Sequence, residues 1–196
     1  MSLLLFNLSW MTYNILLGSI AVIAGLFMLQ LKQHFSKFLS GIIWLLFIPN
    51  TIYILTDHIH IFEQLPNIAL LLKPILVLQY FCLILAGITT FIYALYPFEK
   101  LLKKYFKKKK EKHTIYSIVI VVNFVIAFGV IIGRIQRTNS WEVFTNTQKV
   151  ITDSLTTLVS PKLMLIVIVF GILTNLIYFS TKAVLIKPLL KAGIID

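Results

Sequence analysis

Five uninterrupted apolar blocks, each roughly 20 residues long, constrain this chain more than any other feature. A block of that length crosses a hydrocarbon core as a helix, because a helix satisfies its backbone hydrogen bonds within the segment. Charged residues make up only 13% of the sequence, which leaves too little polar surface to cover a water-exposed fold. We therefore predict an all-α integral membrane protein with a single transmembrane domain, 1–196. The predicted spans are 10–31, 38–57, 74–97, 114–133 and 163–185.

The first and third blocks carry signals about where their helices begin. No basic residue precedes the first apolar run, so we expect this block to be retained as a helix rather than removed as a signal peptide. Residues 1–9 either extend that helix or lie in the membrane interface. Lys73-Pro74 predicts the start of the third helix, since proline suits a first helical turn. Cys82 lies within the third block and is predicted to be a small buried apolar residue.

Basic residues predict the orientation, because loops on the cytoplasmic side carry the excess of lysine and arginine. One set of loops holds Lys32, Lys37, eight lysines from Lys100 to Lys112, Lys182, Lys187 and Lys191, and the opposite set holds Lys73, Arg134, Arg137, Lys149 and Lys162. We predict a multi-pass plasma-membrane protein with its N-terminus outside, its C-terminus inside, a cytoplasmic basic loop at 98–113 and an outer loop at 134–162. This distribution explains the net charge of +11 without a nucleic-acid partner. The run 103–113 either sets topology alone or also attracts anionic lipid headgroups.

A polar stripe is predicted on the second helix. At 100° per residue, Asn50, Tyr53, Asp57 and His60 fall within an arc of about 80°. Polar groups at membrane depth usually face a bundle interior or a cavity. Two interpretations stay open for the stripe near Pro49: Asn50 and its neighbour repair the backbone where proline removes a hydrogen bond, or Asn50 binds a ligand.

Asp57 and His60 are the candidate catalytic residues. As a hydrogen-bonded pair they suit either a structural role or acid–base chemistry. A zinc site would need a third ligand from Glu63, Glu142 or Asp153, and two ligands do not make a site. We predict no metal and no cofactor.

A second motif ends the fourth helix. Gly129 and Gly133 form a GxxxG step that allows close helix contact, and Arg134 and Arg137 follow on the side that is normally poor in basic residues. Three roles compete for the arginines: pairing with Asp57, contact with lipid phosphates, or bidentate binding of an anionic ligand.

The loop after this motif contains a helix start. Asn139 and Glu142 fit a capping box, which predicts one interfacial helix running to about Ser160. Trp141 suits the headgroup level of the membrane.

These two motifs resemble a family of bacterial membrane proteins known as domain of unknown function 1361. The resemblance rests on the segments 44–60 and 133–141, with Tyr13-Asn14 in the first helix. The family pattern has Pro at Ile52, a Leu-like residue at His58 and Asp at Glu142. The resemblance implies a fold and a site but no reaction.

Three functions remain open from the sequence. The first is binding of an anionic or lipid-like ligand, or an accessory-subunit role, through Asn50, Tyr53, Arg134, Arg137, Asn139 and Trp141 at the outer membrane face. The second is an enzyme that acts on a lipid-linked substrate through Asp57 and His60. The third is a small transporter, for which five spans without an inverted repeat are a modest scaffold.

Overall fold

The computed structural model describes residues 2–106 and 111–191, and the regular structure in these ranges is helical. The helices are α1 (Ser2–Gln30), α2 (His34–Tyr53), α3 (His60–Gln64), α4 (Lys73–Tyr105), α5 (Lys112–Ile131), α6 (Glu142–Thr145), α7 (Thr147–Val159) and α8 (Pro161–Lys191). Five helical segments in the described part of the chain are long and apolar enough to cross a membrane, and these contain α1, α2, α4, α5 and α8. The prediction of five membrane-spanning helices is confirmed.

Two groups of helices form the bundle. Helices α1, α2 and α4 pack closely on one another, and α5 packs on α8. Within the first group, Ser40 on α2 donates to the Ala24 carbonyl on α1 at 2.7 Å, and the Trp44 indole donates to the Ala94 carbonyl on α4 at 2.7 Å. Gly25 permits this approach, since a Cβ there would lie 3.0 Å from the Ala94 carbonyl oxygen. Contacts of α2 with α5 and of α4 with α8 join the two groups.

Successive spans run in opposite directions, so the bundle has two distinct ends. The site end holds the last turns of α2 and α5 and the first turns of α1, α4 and α8. The lysine end holds the opposite termini, including Lys103 on α4 and Lys182 on α8. Helix α4 begins at Lys73 as predicted, but it continues to Tyr105. Residues 98–105 of the predicted basic loop are therefore helical, and its residues 107–110 lie outside the described part of the chain.

Helix α2 passes through Pro49 and tightens into a 3₁₀ turn at Ile54–Ile59. Thr51 Oγ1 donates to the Ile48 carbonyl at 2.7 Å, and Asn50 Nδ2 donates to the Phe47 carbonyl at 3.1 Å. Both side chains thus bond to the helix backbone near the proline. The carbonyls they bond are three residues earlier in each case, not the Leu45 carbonyl that proline deprives of its usual N–H donor.

Helix α5 ends differently, in a wide π turn at Ile132–Gln136 followed by a left-handed residue, Arg137, at φ 55°. A Cβ on Gly129 would lie only 2.7 Å from Pro49 Cγ, so the predicted close approach at the GxxxG step is confirmed at this glycine. Gly133 has ordinary space around it, with the nearest atom, the Thr138 carbonyl oxygen, at 3.6 Å.

The segment after α5 corrects two predictions. It forms two helices, α6 and α7, rather than one, because Asn146 interrupts the run and caps α7 by accepting from the Lys149 N–H at 3.3 Å. The Glu142 side chain does accept from the Asn139 N–H as in a capping box, but the residue before α6 is Trp141.

Cys82, predicted to be buried, is exposed on the surface of α4.

Candidate functional site

The Asp57 carboxylate is the centre of the polar cluster at the site end. Asp57 lies in the 3₁₀ turn after α2, and its side chain is only 4% exposed. Oδ1 accepts from Arg134 Nη1 at 2.8 Å, and Oδ2 accepts from Asn14 Nδ2 on α1 at 2.9 Å. Of the two arginines, the partner of Asp57 is Arg134. This carboxylate therefore joins α1, α2 and α5.

Arg134 is already engaged by the protein. Besides Asp57, its guanidinium donates to the Tyr53 hydroxyl at 3.3 Å and to the Thr56 carbonyl at 3.4 Å. It also lies 5.6 Å from the centre of the Tyr53 ring, within the range of a cation–π contact. Because these groups occupy the guanidinium and Asp57 neutralises its charge, Arg134 holds the end of α5 against α2.

His60 belongs to the same cluster, but the predicted hydrogen-bonded Asp57–His60 pair is wrong. The histidine ring nitrogens have other partners, with Nε2 at 3.5 Å from Arg134 Nη2 and Nδ1 at 3.4 Å from a Glu63 carboxylate oxygen. The Trp10 ring meets His60 edge-on at 6.2 Å. A general base would need a direct contact or one bridging water, and the Arg134 guanidinium is nearer to both groups.

Asn50 and the residues after Arg137 meet across the end of the bundle. Asn50 Nδ2 donates to Ser140 Oγ at 3.0 Å, and the Trp141 ring contacts the Tyr13 ring edge-on at 6.5 Å. Tyr53 lies under the guanidinium of Arg134. Asn50, Tyr53, Asp57 and His60 thus all contact residues of the segment 134–141, although α2 ends at Tyr53 and Asp57 lies in the following 3₁₀ turn.

Arg137 and Asn139 are at the edge of this surface. The Arg137 side chain is exposed, and its carbonyl accepts from Lys149 Nζ at 3.2 Å. Asn139 is exposed and bonds Glu142. A hydrogen bond from Lys149, together with one from the Asn139 N–H, lowers the pKa of the Glu142 carboxyl below its ordinary value. Through these contacts Lys149 is bonded to Arg137 and Glu142, so the two ends of the segment 137–149 lie together beside the cluster.

A cavity of about 280 Å³ lies between α1, α2, α5 and residues 138–150. We call it the site pocket. Its lining combines apolar side chains with uncharged polar groups. The apolar lining is Leu17, Leu45, Leu46, Pro49, Val125, Phe128, Gly129, Val130, Ile132, Gly133, Val143 and Val150, and the polar lining is Tyr13, Asn14, Asn50, Tyr53, Thr138, Asn139 and Ser140. Charged side chains are not part of this lining.

Asn14 links the pocket to the ion pair, because it lines the cavity and donates to Asp57. In the sequence Asn14 stands out only through the family resemblance, and its contact with Asp57 was not predicted. A polar residue in an apolar helix was the available signal. On the far side of Asp57 a smaller cavity of about 230 Å³ is lined by Phe6, Trp10, His60 and Gln64.

Of the third zinc ligands considered from the sequence, Glu63 lies 3.4 Å from His60, whereas Glu142 and Asp153 have other partners. Glu142 pairs with Lys149 at 2.8 Å and Asp153 accepts a hydrogen bond from Thr138. Within residues 2–106 and 111–191, no three His, Cys, Asp or Glu side chains are grouped closely enough to hold a metal ion.

A second carboxylate cluster, at the lysine end, was not found from the sequence. Glu99 is fully buried and accepts from Tyr178 at 2.5 Å, from Lys182 at 2.6 Å and from Lys103 at 2.6 Å. It joins α4 to α8. In the sequence Glu99 precedes a run of lysines and looks like one more charge in a basic loop.

The chain matches a family described as "Protein of unknown function (DUF1361)" over residues 13–177. It belongs to this family. The matched range includes Asn14, Asp57 and Arg134 and the whole lining of the site pocket, whereas Lys182 lies beyond it. No curated protein and no solved structure matches the chain. Membership therefore agrees with the resemblance inferred from the two motifs and brings no reaction or ligand with it.

Proposed function

We propose that this DUF1361 protein binds an amphipathic, lipid-like ligand in the site pocket. The observation that carries the proposal is that apolar side chains and uncharged polar groups line the same cavity, with no charged side chain among them. An acyl or isoprenoid chain fits beside Leu17, Leu46 and Phe128. A polar head fits beside the amides of Asn14 and Asn50.

The pocket favours a lipid-like ligand over a simple anion. Its polar lining offers amide and hydroxyl groups rather than cations, and Arg134 is engaged by Asp57. A desolvated anion would need a cation or several aligned N–H donors. In this proposal Arg134 positions Tyr53, Asn139 contacts the head, Trp141 supports Tyr13, and Arg137 faces the solvent-exposed side of the head.

The same proposal places the pocket at the outer face of the plasma membrane. The lysines gather at the opposite end of the bundle, which is the end that the positive-inside rule assigns to the cytoplasm. We further propose that α7 lies in the outer interface. Its exposed apolar residues Ile151, Leu155 and Leu158 support this position.

The test is native mass spectrometry of the purified protein in a mild detergent, with the variants Leu17→Trp and Leu16→Trp. Leu17 lines the pocket, whereas its neighbour Leu16 is 60% exposed on the outside of α1. Both variants add the same indole to the same helix. We expect a lipid-sized adduct on the wild type and on Leu16→Trp, and loss of most of that adduct from Leu17→Trp.

Two results would count against the binding proposal. A wild-type spectrum without an adduct under conditions that keep the protein folded contradicts it directly. Equal adducts on Leu17→Trp and Leu16→Trp, with equal melting temperatures, would mean that the lipid binds elsewhere on the surface.

A further inference from the structure

The Glu99 cluster carries more positive charge than its carboxylate neutralises. Lys103 and Lys182 both contact Glu99, so one carboxylate faces two ammonium groups. The Tyr178 hydroxyl adds a further donor and no negative charge. The side chain of Lys182 is only 20% exposed, and this residue lies within the last membrane-spanning segment. A surplus positive charge of this kind is costly at the edge of a hydrocarbon layer.

The lysines are held in place rather than free to extend into water. Lys182 Nζ lies 5.2 Å from the centre of the Tyr178 ring and 5.8 Å from that of Phe179. Lys103 is tied to Glu99 across one helical turn, in the favourable order with the acid first. Its side chain is 53% exposed, beside the contact of α4 with α8.

We propose that this contact of α4 with α8 is a binding site for one anionic phospholipid headgroup, with Glu99 as the positioning residue for the two lysines. A phosphodiester carries one negative charge and brings the cluster of one carboxylate and two ammonium groups to neutrality. Basic pockets between transmembrane helices bind anionic headgroups in this way. The site is at the opposite end of the bundle from the site pocket and does not depend on it.

The exposed Lys103 allows a test against a matched neighbour. Lys104 is also exposed and carries the same charge one residue further along α4, but Glu99 accepts from Lys103 and Lys182. Lys103→Gln and Lys104→Gln therefore change the net charge equally. If lipid binds to a diffuse basic surface, both variants should lose the same affinity for anionic lipid. If it binds at Glu99, only Lys103→Gln should lose affinity.

The experiment presents the purified full chain with equal amounts of phosphatidylglycerol and phosphatidylcholine of identical acyl chains, and counts each adduct by native mass spectrometry. We expect phosphatidylglycerol to be preferred by the wild type, and that preference to fall on the order of fivefold in Lys103→Gln and in Lys182→Gln. Lys104→Gln and Lys103→Arg should keep it. Melting temperatures in a neutral detergent check that each variant is folded.

Three outcomes would overturn the proposal. They are a wild type without preference for phosphatidylglycerol, an equal loss in Lys103→Gln and Lys104→Gln, and displacement of the lipid by millimolar inorganic phosphate. The last outcome would identify a general anion site rather than a headgroup site. None of the three bears on the site pocket, whose Leu17→Trp variant leaves the Glu99 cluster unchanged.

Discussion

Asp57 and Glu99 are both buried carboxylates that tie the α1–α2–α4 group to the α5–α8 pair, but their partners differ in kind. Asp57 has one cation, Arg134, and one amide, Asn14. Glu99 has two lysines and a tyrosine hydroxyl. The charge at the site end is balanced by the protein alone, whereas the lysine end keeps a surplus positive charge.

The chemistry of the cations separates the two ends further. A guanidinium is planar and fixes several hydrogen bonds in one geometry, and Arg134 uses it to hold Asp57, Tyr53 and the Thr56 carbonyl together. A lysine ammonium is a compact point charge without a fixed plane of donors, and at a membrane boundary it can also contact a lipid phosphate. A balanced, fixed cluster beside a pocket suits a ligand site, and an unbalanced cluster suits contact with anionic lipid.

The largest expected effect follows from removing the one cation of Asp57. Arg134→Leu leaves a buried carboxylate without its charge partner, which costs about 3–5 kcal/mol of unfolding free energy. Denaturant unfolding in micelles measures the loss. Arg137→Leu is the matched control, since Arg137 is exposed and the variant leaves both partners of Asp57, Arg134 and Asn14, in place. A similar loss in both variants would remove the distinction between the two arginines.

Reversing the pair tests whether the two charges act on each other. Asp57→Arg alone places two guanidinium groups together and should destabilise the fold strongly. Adding Arg134→Asp restores opposite charges, and we expect a coupling free energy above about 1 kcal/mol in the double-mutant cycle. If the two effects simply add, the lock between α2 and α5 does not depend on their attraction.

A smaller loss is expected at the lysine end. Lys182→Met leaves Glu99 with Lys103 and Tyr178, so the loss of unfolding free energy should be about 1.5–3 kcal/mol, that of one charged hydrogen bond. Lys162→Met, on an exposed residue of the same helix, serves as the control. A loss as large as that of Arg134→Leu would show that Lys103 alone does not compensate the buried charge of Glu99.

The partly buried pair Glu142–Lys149 gives the smallest effect and a reference for both clusters. Its hydrogen bonds lower the pKa of Glu142 in the folded protein. The pair therefore stabilises the fold above the ordinary carboxyl pKa, and this contribution disappears as the pH falls through the lowered pKa. Melting temperatures of the wild type and Glu142→Gln should differ slightly near pH 7 and converge in acid, once the pH is below the lowered pKa. A difference that persists in acid would have another cause.

The site end was predictable because its residues are conspicuous in the sequence. Asp57 and Arg134 are charges at the ends of apolar runs, and a charge at membrane depth requires a partner. The number of spans followed from length and hydropathy alone. The choice of Arg134 over Arg137 was not predictable, because it depends on the π turn and on the left-handed backbone of Arg137.

Glu99 shows why the contacts at the lysine end were not predicted from the sequence. Its partner Lys182 is 83 residues away, and neither residue stands out among neighbouring lysines. Local spacing contains no signal for such a contact. The split at Asn146 was missed as well, because the capping box at Asn139 predicted a single helix, whereas Asn146 caps the longer of the two helices. Cys82 was assigned by its apolar surroundings, which in a membrane do not distinguish the interior from the lipid-facing surface.

Photolabelling with a lipid that carries a diazirine on its chain tests the central proposal most directly, because it reports where the ligand lies. The account predicts label concentrated on the pocket lining, at Leu46 and Val130, and loss of that label in Leu17→Trp. Labelling of Leu165 and Leu176, exposed on α8, should stay unchanged. Equal labelling of the pocket and of α8, with no effect of Leu17→Trp, would contradict it.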